Sequence, residues 1–130
     1  PDGRWLAYAT RIGGRRTLVK VPAQGGAPQR ISTTGAINPS DPSWSPDGKL
    51  IAFTSQTGKF FNIWVVPVAG GAPTLVCAGE DPSWASNSRN LIFTRRDVNK
   101  RVLGIVDVPT KQVKMLPAFS GSASQPDWQN

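Results

Sequence analysis

Apolar residues along this chain do not alternate with polar ones; they come in short runs that are apolar on both faces. Leu50-Ile51-Ala52-Phe53 is one such run and Asn62-Ile63-Trp64-Val65-Val66 is the next. A sheet with one wet face would alternate with period two, so these runs predict strands covered on both sides. Each is bounded by residues that turn the chain. In Ser45-Pro46-Asp47-Gly48, proline presets φ, aspartate can bond the local backbone and glycine accepts a positive φ. Gln56-Thr57-Gly58-Lys59 reads as a loop, Ala69-Gly70-Gly71-Ala72 as a tight hairpin, and Thr74-Leu75-Val76 as an outer strand. No segment sustains a 3.6-residue apolar period, so almost no helix is expected.

The same order of elements recurs. Pro1-Asp2-Gly3-Arg4-Trp5-Leu6-Ala7-Tyr8 aligns with Pro46-Asp47-Gly48-Lys49-Leu50-Ile51-Ala52-Phe53 and with Ser86-Asn87-Ser88-Arg89-Asn90-Leu91-Ile92-Phe93. Downstream, Gly25-Gly26-Ala27-Pro28 falls on Gly70-Gly71-Ala72-Pro73, and Val65-Val66-Pro67-Val68 falls on Ile105-Val106-Asp107-Val108. A further marker, Pro42-Ser43-Trp44, returns as Pro82-Ser83-Trp84 and Pro126-Asp127-Trp128. The period is roughly 40–45 residues, the length of a four-stranded propeller blade. The third copy departs from the pattern: Ser88 stands in place of the turn glycine, and Pro109-Thr110-Lys111-Gln112 in place of the double-glycine hairpin. That blade is expected to be less well formed.

These residues resemble the TolB-like, WD40-like propeller repeat, whose hallmark is a P-x-W-S-P-D-G-x-x-(I/L)-(A/V)-(F/Y) hairpin followed by a D/N-I-(W/Y) strand and a G-G turn. The middle copy, Pro42 to Val76, matches nearly throughout. The resemblance implies a non-catalytic binding platform for a protein, a peptide or a small ligand in the channel, and a periplasmic rather than cytoplasmic setting. Such propellers also accompany peptidases, sensor kinases and bacterial transcription regulators, so a sensor or substrate-gating module of a larger protein is the alternative. Fold alone does not choose between them.

With strands named A to D from the axis outward, the chain starts at the turn before a B strand. It supplies three strands (1–36), then a full blade (37–78), a second full blade (79–120) and one more A strand in 121–130. That amounts to an all-β fold of three four-stranded blades, half of a six-bladed ring. Rings need about four to eight blades, and three cover about half a circle. Two completions are expected. In one, a homodimer closes the ring by strand exchange through Gln125, Pro126, Asp127 and Trp128, satisfying the open edges. In the other, the chain is half of a longer propeller; the opening Pro1-Asp2-Gly3-Arg4, with no initiator methionine, fits that reading or a removed leader.

Composition narrows the chemistry. The 130 residues contain 13 glycines and 12 prolines, as repeated hairpins require. Histidine is absent, which excludes Ser/His/Asp and Cys/His devices and imidazole metal sites. Cys77 is the single cysteine, too few for an internal disulfide or a thiolate zinc site. No Ser-x-x-Lys occurs, and Gly13-Gly14-Arg15-Arg16 lacks the helix a phosphate loop needs. Sugar-acid lyases that share the fold rely on histidine-bearing metal sites, so an isolated enzyme is not expected.

Charge is lopsided, with 15 Lys and Arg against 8 Asp and Glu. Eight of the basic residues, Arg11, Arg15, Arg16, Lys59, Arg95, Arg96, Lys100 and Arg101, fall in B–C loops, which emerge on one end of a propeller. They are expected to form a basic rim. Such a rim serves solubility alone or docks an acidic partner; nucleic acid is disfavoured without a recognition helix or a dense basic run. Asp41 and Asp81 each precede a repeat tryptophan by three residues and are expected in D–A loops at the channel mouth. There they are candidate oxygen ligands for Ca²⁺, or simply turn formers before proline. Trp44, Trp84 and Trp128 recur at one repeat position and read as inter-blade packing.

Overall fold

A computed structural model of the chain describes residues 5–12, 15–97 and 100–116, with the side chains of Ile12, Arg15, Asp97 and Lys100 left aside. The strands are β1 (Trp5–Ile12), β2 (Arg15–Pro22), β3 (Gln29–Arg30), β4 (Pro39–Trp44), β5 (Leu50–Thr57), β6 (Phe60–Pro67), β7 (Thr74–Ala78), β8 (Glu80–Trp84), β9 (Asn90–Asp97), β10 (Lys100–Asp107) and β11 (Gln112–Met115). They form three antiparallel sheets in the orders β1-β2-β3, β4-β5-β6-β7 and β8-β9-β10-β11. No helix among the described residues is long and apolar enough to cross a membrane.

The repeat reaches down to the register. The central hairpins pair Arg11 with Arg16, Gln56 with Phe61 and Arg96 with Arg101, three equivalent positions. The inner strands pair Ser40 with Thr54 and Glu80 with Thr94, again equivalent. Both then shift register, between Ser40 and Ser43 and between Glu80 and Ser83.

Each interface between sheets holds an apolar cluster. Leu18, Ile31, Ile51, Phe53 and Val66 lie between the first and second sheets. Ala52, Ile63, Val65, Val76, Trp84, Leu91, Phe93 and Val106 lie between the second and third. The middle sheet is therefore buried on both faces, which explains its loss of alternation. Opposite Phe93 stands Gly104, where a Cβ would come within 2.5 Å of the ring's Cζ. The equivalent of Gly104 in the second sheet is Trp64, paired with Phe53. One ring pair is thus replaced by a ring over a glycine.

The third sheet corrects the expectation of a poorly formed blade: it has all four strands. Ser88 adopts φ 57° where Gly48 adopts 76°, and Lys111 adopts φ 62° in the last hairpin. Left-handed backbone costs a non-glycine residue about 1 kcal/mol, and local bonds offset it. The Ser88 hydroxyl accepts the Asp47 amide at 2.9 Å, tying two turns of neighbouring sheets together. Asn87 Oδ1 accepts the amides of Arg89 and Asn90. In the last hairpin, Asp107 binds the Arg89 guanidinium and accepts the Thr110 hydroxyl; the arginine first, then the hydroxyl, hold its carboxyl down at about 2.

Candidate functional site

Asp41 and Asp81 lie within strands β4 and β8 rather than in the loops before them. Both have φ 54° and sit in the register shift, directly before a proline. Proline restricts the residue before it, and a bulge re-aims the side chain there. The Asp81 amide donates to Thr54 Oγ1 at 3.2 Å, which brings the third sheet's inner strand onto the second sheet. The fold thus brings the two sequence-singled aspartates together. Burial, and after it the charge of Asp81, push the Asp41 carboxyl above its ordinary range. Arg101 lies 3.7 Å from Asp81. Among the described residues, no group of three or more Asp, Glu, His or Cys is placed to hold a metal ion.

Glu80 is the residue that sequence reasoning missed. Its side chain is 8% exposed, with Arg96 Nε at 3.1 Å and Arg101 Nη2 at 3.4 Å. Arg96 and Arg101 are direct cross-strand partners. Like charges opposite one another repel, and the carboxylate from the adjacent strand relieves that repulsion. The Arg96 guanidinium also lies over the Phe61 ring at 4.9 Å. Arg95 donates to the Ala78 carbonyl at 2.9 Å. Arg95, Arg96 and Arg101, three residues of the expected basic rim, are therefore turned onto the protein itself.

The first sheet's share is not. Arg11 and Arg16 are exposed cross-strand partners, and no ion pair engages either among the described residues, nor Lys59 on the second hairpin. Arg15 and Lys100 open strands β2 and β10. A cleft of about 490 Å³ separates Arg11 and Arg16 from Ser40, Asp41 and Pro42 on β4. A wider groove, about 880 Å³, runs from Arg16 and Arg30 along the 31–39 link.

Trp44 and Trp84 pack between sheets, as their period predicts. Trp84 Nε1 donates to the Ser43 carbonyl at 2.8 Å, inner strand to inner strand. Trp44 Nε1, its equivalent one sheet earlier, is buried with no acceptor among the described residues. Burial pushes the Cys77 thiol up to about 11, against a small opposing pull from Arg95, so it is a poor nucleophile at neutral pH. Gln125, Pro126, Asp127 and Trp128, the expected closure strand, lie outside the described residues.

Against known proteins, the chain matches the TolB beta propeller domain across residues 1–130. A Tol-Pal system protein TolB from Methylobacillus flagellatus is 46% identical over 46 residues, which is 35% of this chain and 10% of that protein. Among solved structures, a putative TolB from Agrobacterium tumefaciens superposes with TM-score 0.82 at 20% identity, over 94% of this chain and 45% of that one. The β-propeller domain of the Trilobed protease from Pyrococcus furiosus, described as having an open velcro topology, gives TM-score 0.69 at 23% identity, over 92% and 42%. At those identities the structural likeness speaks for the fold alone. The chain spans less than half the length of each of these proteins. Its repeat, its three sheets and its full-length match together make this chain a member of the TolB beta propeller domain family.

Proposed function

We propose that this chain is a non-catalytic, protein-binding propeller segment that works within a closed ring. The observation that carries this reading is an uncovered blade face. Leu6 is 58% and Tyr8 41% exposed, whereas their repeat equivalents Ile51, Phe53, Leu91 and Phe93 are fully buried against the preceding sheet. A face patterned for burial on both sides calls for another blade. A second copy, exchanging Gln125–Trp128 in a two-fold six-bladed ring, would supply it; so would further blades of a longer chain.

Light scattering separates these, with a dimer of the 13.9 kDa chain expected for the first and a monomer for the second. Binding itself is tested with purified Tol-Pal system components in biolayer interferometry. Saturable binding is the expected result, and its absence from every component overturns the protein-binding reading. Family resemblance supports a periplasmic location, which fractionation checks. In a closed ring, Asp41 and Asp81 from both halves would converge, and calorimetric Ca²⁺ titration against Asp41→Asn/Asp81→Asn tests cation binding there. The likeness to a protease's propeller domain supports the second reading, a gating module beside a catalytic domain. A hydrolase segment in the same reading frame would establish it.

A further inference from the structure

The repeat is not uniform, and one irregularity lies between the first and second sheets. Gly25-Gly26 precedes Gly70-Gly71 by 45 residues, but Pro42 precedes Pro82 by only 40. The link into β4 therefore carries five residues more than the link into β8. Gly79 alone joins β7 to β8, whereas 31–38 joins β3 to β4. Extra residues in one repeat of an array belong to loops on one face, often the binding face.

The longer link is held in one shape. Ile31 is buried in the apolar cluster between the first two sheets, and Ala36 packs against that cluster. The Ala36 amide donates to the Thr33 carbonyl, closing a turn in which Gly35 takes φ 91°. Ser55 Oγ accepts the Ile37 amide and donates to the Ile37 carbonyl. Between these anchors, the amides of Ser32, Thr33, Thr34 and Gly35 bond to no described group.

This link forms one wall of the groove of about 880 Å³, and Arg16 and Arg30 line the groove from the first sheet. Arg30 is itself a departure from the repeat. It pairs with Val19 where Leu75 pairs with Trp64 and Met115 with Gly104. The arginine and the longer link thus occur together, in the first sheet. Among the described residues, no acid lines the groove and no carboxylate pairs with either arginine. Two positive charges, three hydroxyls and unpaired amides make a wall of donors with no fixed anion to satisfy them. Every lining residue belongs to the first two sheets and the link between them, so the groove is complete whichever strand covers β1.

We propose that this groove binds a phosphate or sulfate ester of a small polyhydroxylated molecule, its oxyanion at Arg16 and Arg30 and its hydroxyls along Ser32, Thr33, Thr34 and Asn38. A guanidinium fork matches a tetrahedral oxyanion in geometry as well as charge. Hydroxyl and amide side chains exchange hydrogen bonds with a polyol in either direction. The volume suits a small organic ligand rather than a bare ion. The site goes beyond the protein-binding reading, and each can fail without the other.

The test titrates the ¹⁵N-labelled full chain with glucose 6-phosphate, glucose 6-sulfate, inorganic phosphate and glucose, followed by NMR. At least one ester should saturate the chain and shift the amides of 32–35. It should bind at least about tenfold more tightly than glucose or inorganic phosphate, and more weakly as salt rises. Arg16→Gln/Arg30→Gln should weaken that ester by at least about tenfold. Lys59→Gln, an exposed cation that does not line the groove, should leave it unchanged. Ser32→Ala/Thr34→Ala should narrow the preference for the ester over inorganic phosphate. All five positions are exposed, and the dispersion of each variant's spectrum verifies folding. No saturable binding of either ester, or equal losses in Lys59→Gln and Arg16→Gln/Arg30→Gln, overturns the proposal. Inorganic phosphate binding as tightly as the esters overturns the polyol half of it.

Discussion

The first and third sheets carry the same pattern and meet different fates. Tyr8 and Phe93 are equivalent, as are Leu6 and Leu91, yet one pair is exposed and the other is fully buried. Arg11–Arg16 and Arg96–Arg101 are equivalent, yet among the described residues only the latter holds a carboxylate. Trp44 and Trp84 are equivalent, yet among the described residues only Trp84 has an acceptor. All three differences have one cause: the third sheet owns an inner strand and packs on a preceding sheet, and the first shows neither among its described residues. In a repeat fold each unit contacts only its neighbours, so burial is decided by position in the array as much as by sequence.

Truncation should therefore cost unequally, and the largest contrast is in the rings. Phe93→Ala is expected to destabilise the chain by about 3–5 kcal/mol in urea unfolding, the usual cost of emptying a buried ring site. Tyr8→Ala should cost far less. Equal losses would mean that the first sheet's outer face is covered after all.

Next come the acids and bases. Glu80→Gln leaves two guanidiniums facing each other without their partner, at a cost of about 1.5–3 kcal/mol. Arg11→Ala should change the lone chain by less than about 0.5 kcal/mol, as exposed substitutions do. Chemical denaturation of both variants sharpens the comparison directly. The tryptophans follow: Trp84→Phe removes one hydrogen bond, worth about 1 kcal/mol. Trp44→Phe removes none and relieves a buried donor, so it should come out neutral or better.

The smallest effect is a matter of pH. Burial and Asp81 raise the Asp41 carboxyl in the folded chain. Between the ordinary carboxylate value and that raised one, the folded chain binds more protons than the unfolded chain. Stability therefore falls as pH rises through this window. Asp41→Asn should flatten that slope and change stability at pH 7 by no more than about 0.5 kcal/mol. A slope in Asp41→Asn no less negative than that of the unaltered chain would contradict the packed aspartate pair.

The architecture was legible because it is written several times over. The hairpin turns, the two-faced strands and the tryptophan period each recur, and the cross-strand registers follow from them. Asp41 and Asp81 could be singled out because they share a repeat position. Glu80 could not, because its equivalents are Ser40 and Ser124, and nothing periodic marks it. Its role appears only once pairing sets it opposite Thr94 and beside two arginines five residues apart across a hairpin end. The basic rim was read from loop positions alone, which cannot tell an arginine aimed at solvent from one turned onto its own sheet. The third sheet was expected to suffer for lacking glycines, but side-chain bonds from Ser88, Asn87 and Asp107 hold its turns instead.

The central claim is that, among the described residues, the first sheet is open along β1 while the third is closed along β9 by β8. Residue-resolved amide hydrogen exchange tests it most directly. In the chain alone, the β1 amides that turn away from β2 should exchange orders of magnitude faster than the equivalent β9 amides bonded to β8. Equal protection of β1 and β9 in the lone chain would contradict the account.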